Sequence, residues 1–140
     1  EVYWLISKTQ LEHVVGEISM NPIPFSQKYI SGVTAWQGLV LPVVSLESFF
    51  NFKQDKPIAS SKKLVVKTAV QGEDGLAARL MLNALGDIKV RSVDAEECAP
   101  AGISAKELET RGLKGVFEWQ QDKLLLIPDL DRIARGRKQD

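Results

Sequence analysis

Apolar residues along this chain come in short runs broken by Gly, Pro and Asn, and several of the runs are rich in Val, Ile and aromatic side chains. Branched and aromatic side chains pack well on a pleated surface, and short runs between turn residues are strand-sized. The spacing predicts strands over 2–6, 11–18, 29–36, 39–44, 63–70, 76–82, 87–93, 113–119 and 123–127, a density that suits a barrel or sandwich. Helical signal is thin. Residues 46–50 follow Ser45 and 130–134 follow Asp129, each an oxygen-bearing side chain able to cap a first turn, and 106–109 predicts one further helical turn. The stretch 54–62, with Pro57, Ser60 and Ser61, is a predicted loop, as is 96–104 around Pro100 and Gly102. The expected class is all-β with short helices.

The pattern repeats. Gly32-Val33-Thr34-Ala35-Trp36-Gln37 aligns with Gly115-Val116-Phe117-Glu118-Trp119-Gln120 at an offset of 83, identical at four of six positions. After one added residue in the turn, Val43-Val44-Ser45-Leu46 meets Ile127-Pro128-Asp129-Leu130. Each copy reads as a Gly-Val strand, a tryptophan, a tight turn, an apolar strand, a capping residue and a short helix. Two copies imply two similar β-subdomains, each too small to bury its apolar face well alone. The whole chain, 1–140, is expected to be one domain, with one subdomain over about 14–70 and the other over about 71–128 plus the N-terminal strand.

Charge narrows the function. Lys plus Arg and Asp plus Glu both number 18, so no net field draws the chain to phosphate backbones or anionic lipid. Nucleic acid is not an expected partner, and the basic tail Arg132, Arg135, Arg137, Lys138 reads as a solvated end favoured by a helix dipole. No apolar run approaches the roughly 18 residues that a membrane-spanning helix needs, so direct membrane insertion is not expected. A lone Cys98 forms no internal disulfide, and with a lone His13 it leaves no zinc-ligand set. A reducing, cytoplasmic setting is the expectation. The chain opens on Glu1 rather than Met, as expected if residues upstream are missing and the first strand is truncated.

Catalytic chemistry finds little support. His13 sits in a strand-like stretch with no nucleophile nearby in sequence. Cys98 lies beside Glu96 and Glu97, whose charges disfavour a thiolate. Asp129 and Asp131, at a helix start, suit capping and the dipole better than metal binding. Gly72-Glu73-Asp74-Gly75 reads as a hairpin turn rather than a phosphate cradle. No enzyme activity, cofactor or metal is expected. The tryptophans raise a different question, core or contact: Thr34 and Trp36 share one face of their strand while Val33 and Ala35 share the other. Trp36, beside a turn, is the candidate interface anchor, and Trp119 the candidate core residue.

The run from Pro24 through Tyr29, Gly32-Val33, Trp36-Gln37-Gly38 and Leu39-Val40-Leu41-Pro42-Val43-Val44-Ser45-Leu46 resembles the core of the CheW-like chemotaxis adaptors. In that family a Gly-Val strand leads through an Arg-Gly turn into Val-Pro-Val-hydrophobic-Asp-Leu. His13-Val14-Val15-Gly16-Glu17-Ile18 resembles the family's Val-x-Glu-Ile strand, and 115–130 its closing hairpin and helix. The resemblance is strong over 24–50, weak over 53–100, and implies two intertwined five-stranded SH3-like β-barrel subdomains. It implies a non-enzymatic adaptor coupling chemoreceptor cytoplasmic tips to the regulatory domain of a CheA-type histidine kinase, with other CheW-like domains as further candidate partners. The partner-binding candidates are Val15, Gly16, Gly32, Trp36, Gln37 and Gly38. Gln37 stands where the family carries arginine, losing a fixed charge and a five-donor fork, and Ser45 replaces the usual aspartate. Kinase activation is thereby in question. The alternatives are a specialised CheW-like protein of a pilus-motility or other signalling system, and a ligand-sensing domain of the same fold.

Overall fold

The computed structural model describes residues 2–16, 18–24, 27–50, 62–72, 75–83, 88–94, 96, 98–102, 104–120 and 122–135. Two compact units make up the chain, one spanning Thr9–Ile88 and the other joining Glu1–Lys8 to Lys89–Asp140.

The Thr9–Ile88 unit holds β2 (Leu11–Val15), β3 (Ile30–Trp36), β4 (Leu39–Val44), β5 (Lys63–Gln71) and β6 (Ala77–Asn83), with a one-turn helix α1 (Leu46–Phe49) after β4. The strands form one sheet in the order β2-β5-β6-β4-β3, antiparallel except where β4 runs parallel to β6. Alternation puts Leu41, Val43, Val65 and Met81 in a core cluster, onto which Val15, Ile18, Trp36 and Leu39 pack. Ser45 caps α1, its hydroxyl accepting from the Ser48 N–H at 3.3 Å, and this seats Leu46 and Phe49 as buried side chains. Tyr29 meets Phe49 edge-on at 4.9 Å between ring centres. Outside the core, Arg79 on β6 reaches across β5 to hold Glu12 on β2 through Nε, at 2.9 Å and 3.1 Å to the two carboxylate oxygens.

The end strands of this sheet, β2 and β3, approach each other: the His13 and Trp36 rings lie 5.3 Å apart. No backbone ladder joins the two strands. The sheet therefore curls most of the way into a barrel and stops, with side chains where the last ladder would be.

The other unit holds β1 (Val2–Trp4), β7 (Cys98–Pro100), α2 (Ala105–Arg111), β8 (Leu113–Trp119), β9 (Lys123–Pro128) and α3 (Leu130–Arg135). Its sheet runs β1-β9-β8-β7. The first strand of the chain thus lies parallel to the last, Val2 opposite Leu124 and Trp4 opposite Leu126. Ser104 caps α2 by accepting from the Glu107 N–H at 3.2 Å, and Gly112 ends it at φ +84°, which glycine adopts at little cost. Asp129 caps α3, Oδ1 accepting from the Arg132 N–H at 3.2 Å, while Leu130 and Ile133 are buried.

The all-β class and most expected elements stand, and 39–44 and 113–119 keep their expected bounds. Three details differ. Neither sheet closes into a barrel, and the second has four strands rather than five among the described residues. Residues 88–94 carry no regular structure, with Val90 82% exposed, and the strand lies instead at Cys98–Pro100, inside the expected loop. The outer edge of β8 takes only one partner, and a three-residue edge strand tolerates Pro100. The expected boundary after residue 70 also fails to separate the sheets, because β5 and β6 form a hairpin paired from Lys63–Asn83 to Gln71–Ala77. The expected loop at 54–62 lies outside the described residues except for Lys62.

Candidate functional site

The β3–β4 hairpin is the element on which the sequence candidates converge. Trp36 pairs with Leu39, leaving a two-residue turn whose members, Gln37 at φ +48° and Gly38 at φ +77°, both have left-handed backbone. Such a turn matches the natural twist of a hairpin and requires positive φ at both positions, which explains Gly38. Gln37 and Gly38 are exposed at its tip.

The six candidates fall into three settings. Gln37, Gly38 and Gly16 are exposed, and a side chain at Gly16 would meet open space. Val15 and Trp36 are half-buried against the same core cluster, so Trp36 is turned inward, with His13 against its ring. Gly32 is buried: a Cβ there would lie 2.6 Å from the Asn21 carbonyl oxygen. Asn21 bridges Val33, with N–H to O distances of 2.9 Å in both directions, and this close backbone approach gives Gly32 an internal reason to lack a side chain.

The opposite face of the hairpin carries what sequence reasoning missed. Ala35 pairs with Val40 and Val33 with Pro42, and alternation sends all four away from the core cluster. Ala35 is exposed, Val40 is 72% exposed, and Val33 and Pro42 are partly so. The signal was present in the run Leu39-Val40-Leu41-Pro42-Val43-Val44, which never alternates. Strands without a polar face are those that expect cover on both sides. On β2, Val14 adds another exposed apolar side chain at 47%.

In the other unit the corresponding tryptophan is enclosed. Trp119 is 6% exposed, Tyr3 meets it edge-on at 5.7 Å, the Arg91 guanidinium lies 4.7 Å from the centre of its ring, and the Lys123 ammonium lies 5.3 Å from the same centre. Lys123 is also 5.4 Å from the Tyr3 ring and donates to Gln120 Oε1 at 3.1 Å. Cys98 pairs across from Trp119 and is a free thiol of intermediate exposure. Asp129 serves as a helix cap, and Gly75 closes its turn by donating to the Gly72 carbonyl at 3.0 Å. Among the described residues no three His, Cys, Asp or Glu side chains gather as metal ligands, and no helix is long and apolar enough to cross a membrane.

Comparison with known proteins places this geometry. The scaffolding protein TtCheW from Thermoanaerobacter tengcongensis has a similar solved structure, at TM-score 0.59 and 21% identity, over 86% of this chain and 76% of that one. At that identity the likeness speaks to fold alone. No curated protein sequence matches the chain. The family model for the CheW-like domain matches residues 3–138, nearly the whole length. The chain belongs to the CheW-like domain family, a family of chemotaxis-type adaptors and scaffolds.

Proposed function

We propose that this domain is a non-enzymatic, cytoplasmic adaptor of bacterial chemosensory signalling that couples chemoreceptor tips to the regulatory domain of a CheA-type histidine kinase. The observation that carries the reading is the outer face of the β3–β4 hairpin. Val33, Ala35, Val40 and Pro42 offer water a patch without charge on an otherwise curled and satisfied sheet. Burying such a patch against a partner is favourable by roughly 25 cal/mol per Å² of apolar surface, and flat apolar faces with a polar rim are how adaptors dock reversibly. The exposed turn Gln37-Gly38 sits at one end of this patch, in place to set specificity.

Co-sedimentation of the purified domain with a receptor-tip fragment and with the kinase regulatory domain tests the reading. Val40→Asp should weaken whichever complex uses this face by about tenfold or more, while Val90→Asp, at a still more exposed position in the other unit, should leave it unchanged. If the wild-type domain sediments with neither protein, the reading fails. Gln37 supports a narrower version, in which this member docks without fully activating the kinase, because the fork of arginine is missing from the turn. Gln37→Arg should then raise kinase output in a reconstituted receptor assay, and unchanged output would remove that version.

A further inference from the structure

We propose that Arg91 and Lys123, gathered over Trp119, form a receptor for a carboxylate side chain of a partner protein. Both cations approach one indole, at 4.7 Å and 5.3 Å from its centre. They are therefore no farther apart than those two distances combined, within about one Debye length (~10 Å) at ordinary ionic strength. Like charges that close repel, and the ring face offsets only part of the repulsion. Among the described residues neither forms an ion pair, and Arg91 donates no hydrogen bond. Arg91 therefore keeps its guanidinium N–H donors for a partner, and a guanidinium clamps a carboxylate through two parallel hydrogen bonds. The same Trp119 ring and the Tyr3 ring hold the Lys123 ammonium, 5.3 Å and 5.4 Å from their centres.

The internal duplication separates this feature from the needs of the fold. The residue equivalent to Lys123 in the first copy is Leu39, which pairs with Trp36 just as Lys123 pairs with Trp119. There the indole is met by His13 instead. A Trp-turn-strand unit thus forms equally well without the two charges, so their convergence answers to something outside the unit. With zero net charge over the chain, the site favours one local anion rather than a polyanionic surface. That the anion belongs to a partner protein rests on the adaptor reading; that the site takes a carboxylate does not.

The test is a titration of ¹⁵N-labelled protein followed at the indole N–H resonances, with Trp36 as the internal control. A blocked tri-glutamate peptide should move the Trp119 resonance and saturate with a dissociation constant of the order of millimolar, while a tri-glutamine peptide leaves it in place. Arg91→Gln with Lys123→Gln should weaken the response by about tenfold or more, with Arg91→Lys in between, and with an unchanged thermal midpoint showing that the fold is intact. No movement of Trp119, or equal movement with glutamine, overturns the site. Inorganic phosphate acting at lower concentration than the glutamate peptide replaces carboxylate by phosphate. The same double variant is then sedimented with the receptor-tip fragment and the kinase regulatory domain. Loss of a complex that the wild type forms supports a partner carboxylate, and undiminished binding overturns it. Wild-type protein that responds to the peptide but sediments with neither counts against the adaptor reading and leaves the carboxylate site standing.

Discussion

The two hairpin-helix copies in this chain share a backbone to the level of single hydrogen bonds and differ in what covers their tryptophans. Register shifts fall at Ile30/Gly32 in one and Leu113/Gly115 in the other. The Ser45 N–H donates to the Tyr29 carbonyl at 2.8 Å, and the Asp129 N–H donates to the Gly112 carbonyl at 2.9 Å, the corresponding pair. Gln37 and Gln120 turn at φ +48° and +50°. Even the outer edge is shared in part, since Asn21 bridges Val33 where the Ala101 N–H donates to the Val116 carbonyl. The second copy extends that contact into β7, whereas the first keeps a single bridge. Conserving the frame while changing the surface leaves one copy with an apolar outer face and the other with a basic aromatic cluster. A duplicated unit can in this way present two chemistries without inventing a second fold.

The largest expected effect tests whether the tryptophans really differ. Trp119→Ala removes an enclosed indole and should cost about 3–5 kcal/mol. Trp36→Ala removes a half-buried one and should cost roughly half as much. Urea denaturation of both variants measures this, and equal losses would erase the distinction between an enclosed and a half-buried tryptophan. Next come the paired glycines. In Gly32→Ala the new Cβ meets backbone, the Asn21 carbonyl oxygen at 2.6 Å, which cannot swing away, so about 1–3 kcal/mol is expected. At Gly115 the nearest atom, also at 2.6 Å, belongs to the Phe117 ring, which can rotate, and Gly115→Ala should cost on the order of 1 kcal/mol or less. A reversed order would mean that the Asn21 bridge is not what holds Gly32 bare.

The third comparison is between caps. Ser45→Ala and Asp129→Ala each remove one side-chain acceptor from a helix start, and each should cost about 1 kcal/mol. A loss confined to one of them would show that only one short helix depends on its cap.

Much of this frame was readable from residue order, because its cues are local. Branched apolar runs, an oxygen-bearing residue before Leu46 and before Leu130, and the repeated Gly-Val-x-x-Trp-Gln each constrain a few neighbouring residues, and all three are realised. What escaped depends on competition or on distant partners. Residues 88–94 begin with an alternating Ile88-Lys89-Val90-Arg91, but the outer side of β8 is taken by β7 instead. Gly32 matched a family position, yet the reason it must be bare is Asn21, eleven residues upstream and across a bend. Arg91 announces nothing in sequence, because its meaning comes from Trp119, 28 residues downstream on β8. The outer face of β4 was visible in principle: a six-residue apolar run with no polar partner pattern marks a strand whose second face wants cover.

The smallest expected effect bears on how far the backbone equivalence goes. Gln37 and Gln120 both hold left-handed backbone, which costs a residue with a Cβ roughly 1–2 kcal/mol. Glycine relieves that strain but brings a larger unfolded-state entropy, worth about 0.5–1 kcal/mol. The difference leaves Gln37→Gly and Gln120→Gly each stabilising by a few tenths to about 1 kcal/mol, since no φ-dependent penalty remains to oppose the substitution. Because the two angles agree, the two gains should agree within about 0.5 kcal/mol, the usual error of additivity. At Gln120 one further term enters, because its Oε1 accepts from Lys123 at 3.1 Å, an exposed contact whose loss is worth only a fraction of that. Matched midpoint increases in urea would show that the turns are one solution used twice. A clear gain at Gln37 with a loss at Gln120 would mean that the Gln120–Lys123 contact, and with it the basic cluster over Trp119, shapes the second turn, and the two hairpins would be equivalent only in their strands.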